Sequence, residues 1–337
     1  MKKPKVFITR EIPEKGIEMI KEYYDVEIWP EYYPPPKEVI INKAKDVDAL
    51  VTLLTDPIDE EVLREAKNLR IIAQYAVGYD NIDIEACTKR GIYVTNTPGV
   101  LTEAVADLTW ALILAITRRI VEADKFVRSG EWEKTRTGWH PQMMLGAELN
   151  GKILGIIGMG RIGSAVARRA KCFGMKVIYY DKYRKEDIEK EIGAKFVELE
   201  ELLRTADIIS IHVPLTPETR RMIGEKELRM MKKTAYLINT SRGAVLDEKA
   251  LFKALKEGWI AGAALDVFEK EPTPKDNPLL ALENIVVTPH IGSATIETRT
   301  RMAEIVAENL IAFYNGKIPP NLVNPEVVKI RKPGFSL

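Results

Sequence analysis

Short apolar runs alternate with amphipathic segments along the first hundred residues of the chain. The apolar runs predict four strands, at residues 5–9, 49–54, 70–73 and 92–95. Helical spacing follows the first run, over residues 17–24. Because strands separated by single helices are typical of parallel sheets with right-handed crossovers, this part of the chain predicts an α/β domain.

A second series of apolar runs begins near Lys152. It predicts six further strands, at residues 152–157, 176–180, 207–212, 234–239, 261–265 and 284–288. Helical patterns lie between most of these runs, which indicates a second α/β domain. A mostly apolar helix over about residues 102–116 precedes the series. A helix that is apolar nearly all round should be buried, either between domains or between subunits.

Two segments lie outside the two series. Residues 119–150 lack clear periodicity but hold large apolar side chains, among them Trp132 and Trp139. Since long irregular connections usually serve binding, we expect this arm to form a subunit interface, with packing on its own domain as the alternative. At the other end, a helical pattern over about 294–314 and an extended stretch over 318–324 should pack back on the first domain.

Composition narrows the class of protein. The 337 residues are 46% apolar and 29% charged, and 50 basic against 49 acidic side chains leave a net charge of +1. No overall field attracts nucleic acid or an anionic membrane, and no apolar stretch is long enough to span a bilayer. The two distant cysteines and three histidines lack the spacing of disulfide frameworks or metal sites. We expect a cytoplasmic protein without nucleic-acid, membrane or metal partners.

A glycine-rich fingerprint stands between the first strand and the first helix of the second series. In a GxGxxG turn the glycines allow a tight bend, close approach of a pyrophosphate and close packing of helix on strand. The pyrophosphate would lie at the N-terminus of the helix that follows. The candidate contacts are Gly158, Gly160, Arg161, Ile162 and Gly163.

Asp181 ends the next predicted strand, 23 residues after Gly158. Dinucleotide-binding folds place there the acid that binds the adenosine ribose. A carboxylate at this point would repel a 2′-phosphate, so NAD is preferred. Lys182 and Arg184 follow it and could attract that phosphate, which leaves NADP possible.

The glycine-rich turn and Asp181 together identify the second domain as one that binds a dinucleotide. We predict an α/β fold of two doubly wound parallel-sheet domains. A Rossmann dinucleotide-binding domain, residues 101–290, is inserted in a flavodoxin-like substrate domain formed by residues 1–100 and 291–337.

Four ionisable residues follow strands of the second series: Arg242, Asp266, Glu271 and His290. The carboxyl ends of parallel strands meet at one edge of a sheet, so we expect these side chains to converge there. Reduction of a 2-oxo acid requires a proton donor, and a His oriented by a carboxylate suits that role. An Arg can hold the substrate carboxylate and polarise its carbonyl. Glu269 competes with Glu271 as the partner of the His.

The sequence resembles the D-isomer-specific 2-hydroxyacid dehydrogenase family over essentially its whole length. The resemblance implies that His290 donates the proton, that Glu271 is its partner, and that Arg242 binds the substrate. The motifs that carry it are AVGYDNID at 76–83, GMGRIG at 158–163, NTSRG at 239–243, ALDVF at 264–268 with Glu271-Pro272, and TPH at 288–290.

The resemblance also implies the remaining site residues. The backbone at Val77 and Gly78 would hold the substrate carboxylate, and Asp266 the nicotinamide carboxamide. Further residues lining the cofactor would be His212, Val213, Pro214, Thr240 and Gly292. His212 is interpreted as a wall on the adenine side rather than a catalyst.

Within the family the chain is most similar to archaeal glyoxylate/hydroxypyruvate reductases, which implies NAD(P)H-dependent reduction of these 2-oxo acids. The similarity rests on residues 138–141, 258–262 and 319–324. Trp139 resembles a tryptophan that reaches the neighbouring subunit's active site and would contact substrate. The family is typically homodimeric through its cofactor domains, which fits the arm at 119–150.

Two alternatives stay open. The first is another D-2-hydroxyacid dehydrogenase, of the D-lactate or phosphoglycerate type. Phosphoglycerate dehydrogenases often carry a C-terminal regulatory domain, and we expect none after residue 320. The second is a dinucleotide-sensing binding protein, because some relatives act as co-repressors. The short C-terminus without interaction tails favours the enzyme.

Overall fold

The computed structural model describes residues 3–335, which divide into two compact units. Unit 1 comprises the residues up to Leu101 and those from Ser293 onward, and unit 2 comprises Thr102–Gly292. Each unit has its own sheet and its own hydrophobic clusters. Among the described residues, no helix combines the length and the apolar character needed to cross a membrane.

Unit 1 is built on five strands and the helices between them. The strands are β1 (Lys5–Ile8), β2 (Asp25–Ile28), β3 (Ala49–Thr52), β4 (Ile71–Gln74) and β5 (Tyr93–Thr95). The helices are α1 (Glu14–Tyr23), α2 (Lys37–Asp46), α3 (Glu60–Glu65) and α4 (Ile84–Lys89), with a C-terminal helix at Ile296–Tyr314. All strands are parallel, in the order β2-β1-β3-β4-β5, which is the order of flavodoxin-like folds.

The two faces of this sheet carry separate cores, as the alternation of side chains along a strand requires. In β1, Val6 and Ile8 join the cluster under α1 and the C-terminal helix, whereas Phe7 joins the cluster under α2 and α3. Since β3 and β4 are buried at every position, their sequences read as continuous apolar runs rather than as alternating ones.

The extended C-terminal stretch covers the β5 edge of the sheet. Leu322 forms an antiparallel bridge with Thr95. Next to it, Asn324 accepts the Val94 N–H at 2.9 Å and donates to the Ile92 carbonyl at 2.9 Å. The open backbone groups of an edge strand are thereby paired within unit 1.

Unit 2 is built on seven strands. They are β6 (Ile153–Ile157), β7 (Lys176–Tyr180), β8 (Lys195–Phe196), β9 (Ile208–Ile211), β10 (Tyr236–Asn239), β11 (Gly262–Leu265) and β12 (Ile285–Val287). The α-helices are α5 (Thr102–Thr117), α6 (Ile120–Arg128), α7 (Glu131–Lys134), α8 (Arg161–Ala170), α9 (Glu186–Ile192), α10 (Leu199–Thr205), α11 (Glu225–Met230) and α12 (Glu248–Lys256).

The strands of unit 2 are all parallel, in the order β12-β11-β10-β9-β6-β7-β8. This is the Rossmann order with one added strand. From β6 the chain builds the sheet outward to β7 and β8 on one side and then, from β9, to β12 on the other side, so the reversal point lies between β6 and β9. Ligands of such folds bind at the reversal, beyond the carboxyl ends of the strands. The predicted fold class is confirmed.

The apolar helix α5 packs within unit 2. Trp110 stacks on Phe173 with ring centroids 4.3 Å apart, and its indole N–H donates to the Val166 carbonyl at 3.0 Å. Other positions, such as Ala111, stay exposed in the single chain. The helix therefore covers one face of the second sheet and leaves a strip of its own surface open.

The sequence interpretation was wrong about part of the arm at 119–150. Much of this segment is helical, in α6 and α7, although we expected an irregular connection. Leu149 is its single buried residue, and Ile120, Val127 and Leu145 are all more than half exposed. None of the residues of α6 is buried against the described part of the chain.

Candidate active site

The glycine-rich turn between β6 and α8 leaves no room for a side chain at Gly158 or Gly163, whereas the space at Gly160 is open. Gly158 has φ +95°, and a Cβ there would lie 2.8 Å from the backbone of His212 across the reversal point. At Gly163 a Cβ would overlap the Gly158 carbonyl oxygen. At Gly160 a Cβ would meet no atom within 4 Å. Open space thus lies directly over the middle glycine.

The start of α8 borders this space. Gly160 precedes the helix and has no side chain with which to cap it, so the N–H groups of the first turn, at Arg161 and Ile162, keep their capacity for an external acceptor. These groups and the helix dipole suit a pyrophosphate. The residues present therefore fit a dinucleotide.

Asp181 joins the end of β7 to the same turn. Its Oδ2 accepts the Met159 N–H at 2.7 Å, and its Oδ1 accepts the Tyr183 N–H at 3.0 Å. The side chain is half-buried, and each carboxylate oxygen retains a lone pair for a further donor. The carboxylate is therefore placed to accept hydrogen bonds from a ribose beside the glycine-rich turn.

Other predicted cofactor residues lie near the reversal point. His212 directly follows β9 and faces Gly158, and Val213 and Pro214 come next in the sequence. The His212 Nε2 is 2.8 Å from Ser210 Oγ, and burial lowers the pKa of His212 to about 3. A ring that stays neutral at physiological pH does not serve as a general acid. Thr240 follows β10, with its Oγ1 2.9 Å from that of Thr109.

His290 and Glu271 form a close pair. The Nδ1 of His290 is 2.6 Å from Oε2 of Glu271, and Oε1 of Glu271 accepts the Phe268 N–H at 2.9 Å. Burial opposes ionisation of Glu271, but the hydrogen bond and charge of His290, with the Phe268 N–H and the charge of Arg242, outweigh it and lower the pKa. Glu269 instead pairs with Arg221 at 3.1 Å. The geometry selects Glu271 over Glu269.

The pair determines which nitrogen of His290 can serve chemistry. An ionised carboxylate only accepts hydrogen bonds, so Nδ1 must carry the proton that it shares with Glu271. That leaves Nε2 as the nitrogen able to exchange a proton with a ligand. The arrangement is that of a general acid whose ring is oriented by its partner.

Asp266 holds the turn that presents His290. Its carboxylate accepts Thr288 Oγ1 at 2.6 Å, Ile291 N–H at 2.8 Å and Gly292 N–H at 2.9 Å. The Asp266 carbonyl accepts the His290 N–H at 2.8 Å. His290 itself has a φ of +54°, which is rare outside glycine. Burial raises the pKa of Asp266, against these hydrogen bonds. Sequence reasoning gave Asp266 a cofactor contact and missed this positioning role.

Arg242 lies in the loop after β10. A Cβ at the next residue, Gly243, would overlap the backbone of Phe268, so only glycine lets this loop approach the segment that carries Glu271. Asn239 Nδ2 donates to the Arg242 carbonyl at 2.9 Å, and Nη1 of Arg242 donates to the Ser241 carbonyl at 2.9 Å. Arg242, Glu271 and His290 are thereby gathered at one edge of the unit 2 sheet.

In unit 1, the loop that follows β4 has its peptide groups held in a fixed orientation. Three successive carbonyl groups after β4 accept hydrogen bonds from within the unit. The pairs are Ala76 with the Thr97 N–H at 2.9 Å, Val77 with Asn96 Nδ2 at 2.8 Å, and Gly78 with Gln74 Nε2 at 3.2 Å.

In a trans peptide the N–H points opposite to the carbonyl. The N–H groups of Val77 and Gly78 therefore face away from the donors that hold the loop, as in backbone cradles that bind anions. We name this loop, residues 76–79, the peptide cradle. The family resemblance named Val77 and Gly78. Gln74 and Asn96, which hold the carbonyls of this loop, were not among the predicted site residues, although both stand at strand ends.

Trp139 lies in the arm, between α7 and β6, and is 75% exposed. Every residue from Glu131 to Gln142 is likewise exposed in the single chain. Within residues 3–335, no group of three or more His, Cys, Asp or Glu side chains is arranged to hold a metal ion.

The chain is similar to known proteins over most of its length. Residues 110–292 match the model of the D-isomer specific 2-hydroxyacid dehydrogenase NAD binding domain. The chain is 65% identical to a glyoxylate reductase of Korarchaeum cryptofilum, over 99% of both chains. It is 63% identical to a glyoxylate reductase of Aeropyrum pernix, over 99% of this chain and 100% of that one.

A solved structure from Thermus thermophilus, the protein TT0316, has the same architecture. It superposes with a TM-score of 0.89 at 47% identity, covering 95% of this chain and 99% of the other. With a family model that spans more than half of the chain and relatives that span nearly all of it, the resemblance found in the sequence is confirmed. The chain belongs to the D-isomer specific 2-hydroxyacid dehydrogenase family.

Proposed function

We propose that the protein reduces glyoxylate and hydroxypyruvate to the corresponding 2-hydroxy acids, with D configuration where the product is chiral. The observation that carries this proposal is the His290–Glu271 pair beside Arg242, in a unit whose glycine-rich turn fits a dinucleotide. The archaeal relatives named as glyoxylate reductases support glyoxylate as the substrate.

The chemistry needs a hydride at the carbonyl carbon and a proton at the carbonyl oxygen. A bound reduced nicotinamide would supply the hydride. His290, protonated on both nitrogens, donates the Nε2 proton to the carbonyl oxygen as the new C–H bond forms. It is left neutral, with Nδ1–H still directed at Glu271, whose charge stabilises the protonated ring before transfer.

Two groups recognise the acid. The guanidinium of Arg242 polarises the carbonyl, on which negative charge develops during the reaction, and provides a cation for the substrate. The peptide cradle at Val77 and Gly78 binds the substrate carboxylate through N–H groups that need no side chain. The hydrogen bonds on the Ala76 and Val77 carbonyls support this role, because they fix those two N–H groups in advance.

NAD is the preferred dinucleotide in this proposal, and NADP the weaker one. Asp181 supports it: its carboxylate, held by two backbone N–H groups beside the glycine-rich turn, can accept from ribose hydroxyls and repels a 2′-phosphate. The remaining cofactor contacts proposed are those at the glycine-rich turn, with His212, Val213, Pro214, Thr240, Asp266 and Gly292.

The working assembly proposed is a homodimer through unit 2 and the arm at 119–150. Support comes from the apolar side chains that α6 and the residues after it expose, including Trp132 and Trp139. Exposed apolar surface of this extent is costly in water and is typical of subunit interfaces. A second copy of the chain would cover it.

The test is turnover by the purified full chain. Oxidation of NADH and NADPH is followed with glyoxylate, hydroxypyruvate and pyruvate at equal concentrations, and the product of hydroxypyruvate is resolved by chiral chromatography. We expect turnover to be fastest with glyoxylate or hydroxypyruvate and the glycerate to be the D isomer. Absence of oxidation with all three acids, or formation of L-glycerate, contradicts the proposal.

A further inference from the structure

Arg184 and Glu189 form a side-on ion pair just beyond β7. The Nε of Arg184 donates to Oε1 of Glu189 at 2.8 Å, and Nη2 donates to Oε2 at 2.8 Å. This is the geometry in which a guanidinium also grips a phosphate. Arg184 is 61% exposed and Glu189 only 15%, so the pair is anchored on the carboxylate side.

A tyrosine of β7 holds the Glu189 carboxylate in place. The Tyr179 hydroxyl donates to Oε1 of Glu189 at 2.8 Å and accepts the Lys185 N–H at 2.7 Å. The hydrogen bonds from Arg184 and then from Tyr179 lower the pKa of Glu189 to about 2. The negative charge opposite Arg184 is therefore present throughout the neutral range.

The turn that carries Arg184 is fixed on both sides. Asp181 accepts the Tyr183 N–H at 3.0 Å, and Tyr179 accepts the N–H of Lys185 at 2.7 Å. Asp181 also accepts the Met159 N–H at 2.7 Å, and so stays on the glycine-rich turn. The acid thus lies beside the proposed ribose site, whereas the cation three residues later is engaged by α9.

We propose that Glu189 is a specificity-determining residue, which holds Arg184 away from the ribose 2′ position and so makes the chain select against the 2′-phosphate of NADPH. This rests on the proposed function, which puts the adenosine ribose at Asp181. A phosphate monoester adds close to two negative charges, and Arg184 is the cation suited to bind it side-on. Its recruitment would break two charged hydrogen bonds and leave the Glu189 carboxylate without its cation near the phosphate.

Lys182 differs from Arg184 in its surroundings. Its Nζ lies 5.9 Å from the centroid of the Tyr183 ring, at an exposed position. Any attraction between Lys182 and a phosphate is common to all variants described below. Differences among them therefore report on Arg184 and Glu189.

The test uses two nucleotide fragments that differ only in the 2′-phosphate, adenosine 2′,5′-bisphosphate and 5′-AMP. Their affinities for the full chain are measured by isothermal titration calorimetry without substrate. Glu189→Gln keeps the shape of the side chain and an acceptor for Tyr179 but removes the charge. We expect it to tighten binding of the bisphosphate about fivefold or more and to change that of 5′-AMP by less than about twofold.

Glu191→Gln is the matched control. Glu191 lies on the same helix and pairs side-on with Arg168, at 2.6 and 2.8 Å, with both side chains exposed to a similar degree. Its substitution removes the same charge from α9 without releasing Arg184. We expect no change in the affinity for either fragment beyond about twofold.

Substitution of Arg184 shows whether the tighter binding of the bisphosphate in Glu189→Gln requires the Arg184 guanidinium. In the double variant Arg184→Gln/Glu189→Gln the gain should vanish. In Arg184→Gln alone, affinity for the bisphosphate should stay within about twofold of the original chain, because the guanidinium is already engaged.

Three results overturn the proposal: no gain in Glu189→Gln, a gain that survives loss of Arg184, or a loss of about tenfold or more in Arg184→Gln alone. The result for Arg184→Gln alone tests the proposal even if the Glu189 variants do not fold. A chain that binds 5′-AMP and NADH but shows one of these results retains the proposed function. A chain that binds neither ligand refutes the cofactor site and this proposal with it.

Discussion

The Nδ1 atom of His290 lies 2.6 Å from Oε2 of Glu271, and the other oxygen of Glu271 accepts the Phe268 N–H at 2.9 Å. The carboxylate is thus held by the backbone while it orients the ring. Because the pKa of Glu271 is below its ordinary value, the carboxylate is ionised at neutral pH. The pair therefore carries a charge that favours the protonated ring.

Glu271→Gln should move the alkaline limb of the kcat/KM profile for glyoxylate reduction to lower pH. The substitution keeps an acceptor for Nδ1 but removes the anion, so the protonated ring is less stabilised. The pH dependence of kcat/KM is measured with NADH at fixed ionic strength. Glu269→Gln, which removes the partner of Arg221, is the control and should leave the limb unmoved. An unmoved limb in Glu271→Gln would show that another group stabilises the protonated ring.

Asn96→Ala should raise the KM for glyoxylate about tenfold while kcat changes by less than about threefold. The reason is that Asn96 Nδ2 holds the Val77 carbonyl at 2.8 Å and so orients the N–H group of Gly78 in the peptide cradle. Steady-state kinetics at saturating NADH measures the split. Asn68→Ala, which removes a surface amide bonded to the Lys45 carbonyl, should change neither constant. A fall in kcat at constant KM would contradict the binding role.

Asp181→Ser should shift the ratio of kcat/KM values toward NADPH by at least about tenfold, or about 1.4 kcal/mol of transition-state binding. The substitution removes the repulsion of the 2′-phosphate, and the exposed Lys182 remains nearby. Both cofactors are compared in both proteins at fixed glyoxylate. An original chain that already prefers NADPH would contradict the proposed role of Asp181.

The arm at 119–150 should hold the chain as a dimer at micromolar concentration. Light scattering measures the mass directly. Val127→Lys places a charge on the apolar side of α6, at a residue that is 54% exposed in the single chain, and should shift the mass toward the monomer. Asp124→Lys, at an exposed polar position of the same helix, is the control. A fully active monomer in the original protein would refute the proposed interface.

Most of the fold was predictable because buried parallel strands leave strong apolar runs. All ten predicted strands are present, within two residues at either end. The two missed strands, β2 and β8, lie at sheet edges and are only partly buried, so their sequences carry a weak apolar signal. Helix α6 was missed although Ile120, Ala123 and Val127 recur at helical spacing along it.

The ionisable part of the site was predictable because parallel strands bring their carboxyl ends together. The supporting groups were not. Gln74 and Asn96 act as neutral amides that hold carbonyls, and the chemistry of a neutral amide at a strand end does not indicate which group it meets. The pairing of Arg184 with Glu189 depends on a turn into α9 that no periodicity shows.

The most direct test of the account is single-turnover reduction of glyoxylate by His290→Ala, with a deuterium isotope effect to show that hydride transfer limits the rate. We expect the rate to fall about 10²–10⁴-fold, since a general acid contributes that much. The affinity for NADH, measured by equilibrium titration, should change by less than about threefold, because the ring acts on the substrate oxygen. A variant that keeps near-full turnover while hydride transfer is rate-limiting would show that His290 is not the proton donor.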